Sequence, residues 1–341
     1  MEFGMVCLGD NLPDARTGKP ISDAEKHTRF IRQAVTAEKS GFEVFHLGEH
    51  HFNYYAISAP FVALAALSQH TGKIRLGTGV TLLPTVDPII VAEDAATLDA
   101  YSNGRAEVGV GRGIHEHIFK AMGRPASSAT EIFDENLDLL HRLMTEENVH
   151  WKGKWRPPLD GVTIRPHAVQ KPIPIWCGST SVIPTAAKLG LPCMWVSVLF
   201  PFEKLKPLAD QYRQAWVDAG RDEASFQLGI GVHYHIARTS QEARKRFEPY
   251  YFQYLEQART LEKSNLDRAI APMERDPKLL EVAPFCGSPQ EIVDRIGRAR
   301  EMLGLTRIML SIDMGGMPQD VILEEIELTG QEVIPHINGA R

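Results

Sequence analysis

Several short segments of this 341-residue chain carry side chains that can do chemistry. Glu49-His50-His51 sets a carboxylate beside two imidazoles, which serves either proton transfer or a hydrogen-bonded strand end. Gly109-Val110-Gly111-Arg112-Gly113 places a guanidinium in a glycine-rich turn, with His115 and His117 just beyond. It is not a dinucleotide fingerprint, because Ile114 stands where the third glycine would be needed; tight strand–loop packing explains the glycines better. Gly178-Ser179-Thr180-Ser181 directly precedes a helical pattern. Free amides at such a turn, flanked by hydroxyls, suit a phosphate, while the plainer reading makes Ser181 an N-cap. His233 and His235 share one strand face, as core polar groups or as metal ligands, and Asp313 ends the last strand.

These groups need a scaffold that gathers them. Short apolar runs at Phe3–Leu8, Glu43–Leu47, Ile74–Thr78, Ala106–Val110, Ile173–Cys177, Cys193–Val198, Gln227–His235 and Arg307–Ile312 read as strands. Helical patterns follow them at Asp23–Ser40, Pro60–His70, Ile89–Tyr101, Glu131–Thr145, Val182–Leu189, Glu203–Ala219, Gln241–Lys263 and Gln319–Ile334. Eight strand–helix units predict an α/β fold, a single (β/α)8 TIM barrel over residues 1–341, in preference to an open doubly wound sheet. Two stretches interrupt the rhythm: an insertion after the fourth strand (about 148–172), read as a hairpin, and one after the seventh (about 264–288). An extra helix, Glu291–Leu303, precedes the last strand. In such a barrel chemistry collects in the loops after the strands, where all the segments above fall.

Composition narrows the function. Lys and Arg number 37 against 43 Asp and Glu, a formal charge of −6, which makes nucleic acid and anionic membrane poor partners. Apolar runs are too short to span a bilayer, and the first residues read as a strand with no signal peptide. Cys7, Cys177, Cys193 and Cys286 lack metal-site spacing, which suits a reducing, cytoplasmic setting.

In their order the segments resemble the bacterial luciferase-like family of flavin-dependent monooxygenases. The resemblance rests on Ala37–Phe42 leading into Glu49-His50-His51-Phe52, and on Leu76–Thr85. Ala92-Glu93-Asp94, Ser102-x-Gly104-Arg105, Gly111-Arg112-Gly113, Ala186–Pro192 and Gly287–Glu291 extend it over nearly the whole chain. The Glu-His-His segment points to the luciferase branch.

The resemblance implies reduced FMN across the barrel mouth, O2 as co-substrate, and oxygenation of a small, apolar substrate through a flavin C4a-hydroperoxide. Gly178, Ser179 and Ser181 fall where the family holds the flavin phosphate, and Arg112 at its anchoring arginine. Gly79–Val80 falls at a non-prolyl cis peptide beneath the flavin ring, and His50 at a histidine implicated in catalysis. Glu49 is expected either to fix the His50 tautomer or to contact flavin. A separate reductase is expected to supply reduced FMN, since no NAD-binding unit is evident, and a homodimer is typical of relatives. The chain departs from luciferase at Thr130, Gly111 and Asp87, which puts light emission and a long-chain aldehyde in doubt. The 264–288 segment occupies the place of a mobile lid. Phe52, Tyr54, Trp195, Phe200 and Tyr234 are candidates to face the pocket. Two alternatives stand beside this reading: a deazaflavin-dependent dehydrogenase of the same superfamily, and a metal-dependent hydrolase built on His50, His51, His233, His235 and Asp313.

Overall fold

The computed structural model describes residues 1–198, 200–261, 279–282 and 284–339. Strands β1 (Glu2–Cys7), β2 (Val44–Leu47), β3 (Arg75–Leu82) and β4 (Ala106–Gly111) are separated by helices α1 (Asp23–Lys39), α2 (Pro60–Ser68) and α3 (Pro88–Ser102). After β4 come α4 (Glu116–Ala121), α5 (Ala129–Thr145) and an antiparallel hairpin of β5 (Val149–Trp151) and β6 (Leu159–Val162). The chain re-enters the main sheet with β7 (Ile175–Cys177), α6 (Ile183–Leu189), β8 (Cys193–Val196), α7 (Lys206–Asp218), β9 (Leu228–Ile236) and α8 (Ser240–Leu261). It ends with α9 (Leu279–Val282), β10 (Phe285–Gly287), α10 (Pro289–Leu303), β11 (Arg307–Ser311), α11 (Gln319–Glu332) and α12 (Ile334–Asn338).

The strands β1, β2, β3, β4, β7, β8, β9 and β11 pair in parallel, and β9 bonds both β8 and β11, which closes an eight-stranded barrel. This is the TIM barrel expected from the eight units. Helix boundaries follow local chemistry. Ser22 and Ser288 cap α1 and α10 by accepting from the amides of Glu25 and Glu291. Gly190 ends α6 at φ 71°, a left-handed value that a side chain resists.

Two strands differ from expectation. The third does not stop at Thr78 but runs to Leu82, because Thr78–Thr81 sets three steps against the two of Val108–Val110; this bulge preserves pairing beyond it. Phe285–Gly287 adds an unexpected short strand, β10, beside the far end of β9. Most of the 264–288 segment, including its reading as a lid, lies outside the described residues.

Strand alternation divides the barrel interior into two ends. At the strand N-termini, Arg75, Glu107 and Arg307 point inward with His46 just above, and Arg307 lies 3.9 Å over the Trp176 ring. Burial by itself would raise the Glu107 carboxyl; the Arg307 guanidinium and a hydrogen bond from His46 outweigh it and hold it well below the usual range. Toward the C-termini the inward positions are mostly glycine: Gly79, Gly109, Gly111, Gly178 and Gly231. Bulky ionic residues therefore plug one end, and at the other, open end the glycines let neighbouring backbone and Val80 close in to form a floor.

Candidate active site

The open end is floored by backbone. A Cβ on Gly109 would strike the Thr78 carbonyl, and one on Gly111 or Gly178 would meet Val80 at 2.5 or 3.0 Å. Val80 lies where the strand bulges, and the Gly79–Val80 peptide there is cis. The result is a smooth apolar shelf across β3, β4 and β7, as wide as three adjacent strands, roughly 10 Å at ~4.8 Å spacing. A flat ring system fits such a shelf.

Polar anchors stand at its edge. Val110 is in register with Cys177, so Arg112 and Ser179 each follow two residues beyond that pair on neighbouring strands. The Gly178 amide donates to Val110 at 2.7 Å, locking the two turns together. Ser179 Oγ lies 2.7 Å from Ser181 Oγ and accepts from the Ser181 amide at 3.4 Å. The Ser181 reading as N-cap is thus replaced: Ser179 caps the 3₁₀ turn Thr180–Val182, and the Ser181 hydroxyl pairs with the Ser179 hydroxyl. Arg112 is half-buried and has no hydrogen bond or ion pair among the described residues. A half-buried guanidinium without an anion is an expensive arrangement, and a phosphate monoester would satisfy it together with both hydroxyls.

The loop after β2 brings the second group of side chains. Glu49 accepts from the Leu82 amide at 3.1 Å and from His51 Nε2 at 2.9 Å. Its expected role of fixing the His50 tautomer is therefore not realised; Glu49 instead ties the ends of β2 and β3 together and orients His51. His50 stacks on Tyr55 with ring centroids 3.8 Å apart, and its Nδ1 is buried without a partner. Burial, with the His115 and His51 rings adding to it, pushes His50 down to about 3. His50 is thus a neutral ring near pH 7, able to accept a proton or hydrogen bond, and not the group titrating near neutrality that its type suggests.

The loop holding His50 is strapped to the loop after β1. Asp10 forms an antiparallel bridge with Tyr55, the Asn11 amide donates to the Tyr54 carbonyl at 3.0 Å, and the Ala56 amide donates to Gly9 at 2.8 Å. The Asp10 carboxyl also accepts from the Gly315 amide at 2.7 Å, so one buried residue joins three rim loops through its backbone and side chain. Burial raises it to about 6, with Asp313 adding to the rise and the Lys26 ammonium opposing both. A chain of phenols runs from Tyr54 to Tyr55 to Tyr254, with oxygen separations of 3.5 and 3.4 Å.

Of the aromatic residues expected to face the pocket, Trp195 and Tyr234 do not. Trp195 packs edge-on to Tyr212 of α7, and the Tyr234 hydroxyl lies 2.8 Å from that of Thr329 on α11. Strand alternation turns both outward, toward the helices. Phe52 is 66% exposed at φ 60°, turned to solvent. Phe200 is half-buried beside the hydrophobic core, and Tyr54 is the member of the set that joins the phenol chain. Composition-based reading missed Asp10, Tyr55 and Tyr254; the Tyr54-Tyr55 doublet four residues after His50 was its available signal. The metal-site residues do not converge. Asp313 pairs with Lys26 at 2.8 Å and accepts from Gln33, His51 pairs with Glu49, and His235 accepts from Arg246 at 3.1 Å. Among the described residues no three His, Cys, Asp or Glu side chains are grouped to share an ion. No helix among them is long and apolar enough to cross a membrane.

Comparison with known proteins agrees with this geometry. The profile of the luciferase-like monooxygenase family matches residues 1–307, and the chain belongs to that family. The alkanal monooxygenase alpha chain of the Kryptophanaron alfredi symbiont is 24% identical, covering 99% of this chain and 98% of its own. Limonene 1,2-monooxygenase of Rhodococcus erythropolis is 29% identical over 89% and 79%. The oxygenase component of the flavin-dependent trigonelline monooxygenase of Acinetobacter baylyi is 24% identical over 92% and 90%. Among solved structures, the monooxygenase RslO1 of Streptomyces bottropensis superposes with TM-score 0.85 at 26% identity, over 98% and 99% of the two chains. The oxygenating constituent of 3,6-diketocamphane monooxygenase from Pseudomonas putida, solved with FMN, gives 0.76 at 20% over 98% of each. The coenzyme F420 dependent tetrahydromethanopterin reductase of Methanopyrus kandleri gives 0.75 at 21% over 98% and 99%. The chain is a luciferase-like enzyme on the TIM barrel that those structures share.

Proposed function

We propose that this enzyme is an FMN-dependent monooxygenase that inserts one oxygen atom of O2 into a small organic substrate. The other oxygen leaves as water, with reduced FMN supplying the two electrons. The observation that carries the reading is the partnerless Arg112 beside the Ser179–Ser181 hydroxyl pair, at the edge of a glycine-floored shelf. Arg112, the serine hydroxyls and the Gly178 turn would hold the phosphate. Gly79, Val80, Gly109 and Gly111 would support the ring, with Glu49 keeping the β2 and β3 ends aligned beneath it.

Bound reduced flavin supplies the electrons that activate O2; the protein supplies position and dryness. His50, neutral and buried, accepts a proton or hydrogen bond from a reacting hydroxyl at its free Nδ1, and Tyr55 holds its ring flat by stacking. Phenols kept protonated by burial and the joined rim loops exclude water around that ring.

The oxygenase component among the relatives supports a separate flavin reductase as the source of reduced FMN. We place the enzyme in the cytoplasm, where four buried, unpaired cysteines remain reduced. Val62 of α2 and Ile90 and Tyr101 of α3 expose apolar side chains, which supports a homodimer through those helices. The deciding experiment titrates the protein with FMN and with a deazaflavin, then reduces the bound cofactor anaerobically and admits an O2 pulse with candidate substrates. FMN binding, with 18O from O2 in the product, is expected. Tight deazaflavin binding with no affinity for FMN would replace the oxygenase by a hydride-transferring dehydrogenase.

A further inference from the structure

The buried polar groups that lack partners are not spread evenly. At the barrel mouth they include Asp10 Oδ1, His50 Nδ1, Ser311 Oγ and both ring nitrogens of His233. Each such group is costly when left without a hydrogen bond, so a cluster of them marks where a ligand's polar atoms belong.

His233 and Ser311 form the tightest subset. They are register partners on β9 and β11, and both sit on the inward face that carries Gly231 and Met309 below them. His233 is 1% exposed and Ser311 is 3% exposed. The rings of Tyr251 and Tyr254 meet His233 nearly perpendicular, at 79° and 87°, with centroids 5.6 and 5.3 Å away. Tyr254 in turn reaches Tyr55, which stacks on His50. One continuous aromatic wall thus joins the imidazole beside the flavin shelf to a second imidazole that nothing in the fold explains.

Resting on the oxygenase reading, we propose that His233 and Ser311 form the polar subsite of the substrate chamber, and that they recognise the hydroxyl group of a neutral aromatic molecule. The charge state follows from the surroundings. Burial keeps the His233 ring neutral, so it offers one donor and one lone pair and no charge for an anion. Asp313, two residues beyond Ser311, is already paired with Lys26 at 2.8 Å. The functional group follows from donor–acceptor matching. A ketone or ether oxygen only accepts, so it pairs with the imidazole only in the tautomer that turns the N–H toward it. A hydroxyl pairs with either tautomer, donating to the lone pair or accepting from the N–H, and exchanges a second hydrogen bond with Ser311. The planar ring follows from the three tyrosine side chains that line the path.

The test uses the protein saturated with oxidised FMN, titrated calorimetrically with 2-naphthol, 2-methoxynaphthalene and naphthalene. The expected result is that 2-naphthol binds about tenfold more tightly than its methyl ether, the effect of one or two hydrogen bonds. His233→Phe should abolish that preference while FMN affinity stays unchanged. Ser311→Ala, which removes only a hydroxyl, should shrink it and serves should the larger change impair folding. Equal affinity for all three compounds, no binding of any, or a full hydroxyl preference in both variants overturns the subsite with the flavin reading intact. Failure of the wild-type protein to bind FMN overturns both.

Discussion

The closed end of the barrel offers a prediction about stability that should leave the chemistry untouched. Glu107 accepts from Arg307 Nη1 and Nη2 at 2.6 and 3.0 Å, from Arg75, and from His46 Nε2 at 3.3 Å. The Arg307 side chain is 3% exposed and cannot turn to water. Glu107→Gln keeps the shape but removes the charge, leaving a buried guanidinium with Glu2 as its remaining carboxylate among the described residues. Removing one partner of a buried pair costs about 3–5 kcal/mol. An unfolding entropy of ~2.1 cal/mol/K per residue gives about 0.7 kcal/mol/K for a chain of this length. The melting temperature should therefore fall by about 4–7 °C. Calorimetric melting of the apoprotein measures the shift, and a fluorescence titration measures FMN affinity on the same sample. Replacing the pair together, Glu107→Leu with Arg307→Met, should cost less than the single change, because the fully buried guanidinium goes with its partner, while Arg75 and Glu2, which lose theirs, reach solvent. A drop below about 2 °C, a double variant worse than the single, or a tenfold loss of FMN affinity would refute the division of the barrel into a stabilising and a working end.

Further outcomes are expected at the open end. Arg112→Met and Ser179→Ala should weaken FMN binding first, by about 10–100-fold for the arginine, as read by equilibrium dialysis; unaltered affinity in the double variant contradicts the phosphate cradle. His50→Ala should retain FMN while product yield falls sharply in single-turnover assays, and unchanged yield removes His50 from the mechanism. With His50 held near 3, the wild-type rate should show no break at pH 6–7 that disappears in His50→Gln. Asp10 is raised from 3.8 to about 6 on folding, so its protonated form favours the folded state, and that contribution is lost as pH rises through about 6. Asp10→Asn should accordingly gain on wild type between pH 4 and 7, by at most about 3 kcal/mol at 1.36 kcal/mol per pH unit, in melts recorded across that range. A constant difference across the range would show that Asp10 does not titrate there.

Much of this was legible in the residues themselves. Alternation of apolar runs with helical patterns dictates the eight units, since each strand needs a helix to cover its outer face. Glycine spacing and the serine turn mark the backbone-floored shelf and its hydroxyl-lined edge, because only particular residue types allow a backbone to come so close or to present hydroxyls there. The hairpin at 149–162 and the helix at Pro289–Leu303 also follow from local pattern. The inward or outward sense of a strand residue does not. Trp195 and Tyr234 are equal to His233 as sequence candidates, yet one step of register sends them to the helices and His233 to the mouth.

What the chain by itself determined was local: which stretches pair as strands, which turns carry paired hydroxyls, and the family whose pattern they share. Tertiary structure alone decided that Glu49 holds His51 and not His50, that Asp10 joins three loops, and that burial leaves His50 and His233 neutral. The physical reason is that proton affinity and orphaned hydrogen bonds depend on what surrounds a group in space. Those surroundings come from α8, β9, β11 and the first loop, segments up to about 300 positions apart that meet only when the barrel closes.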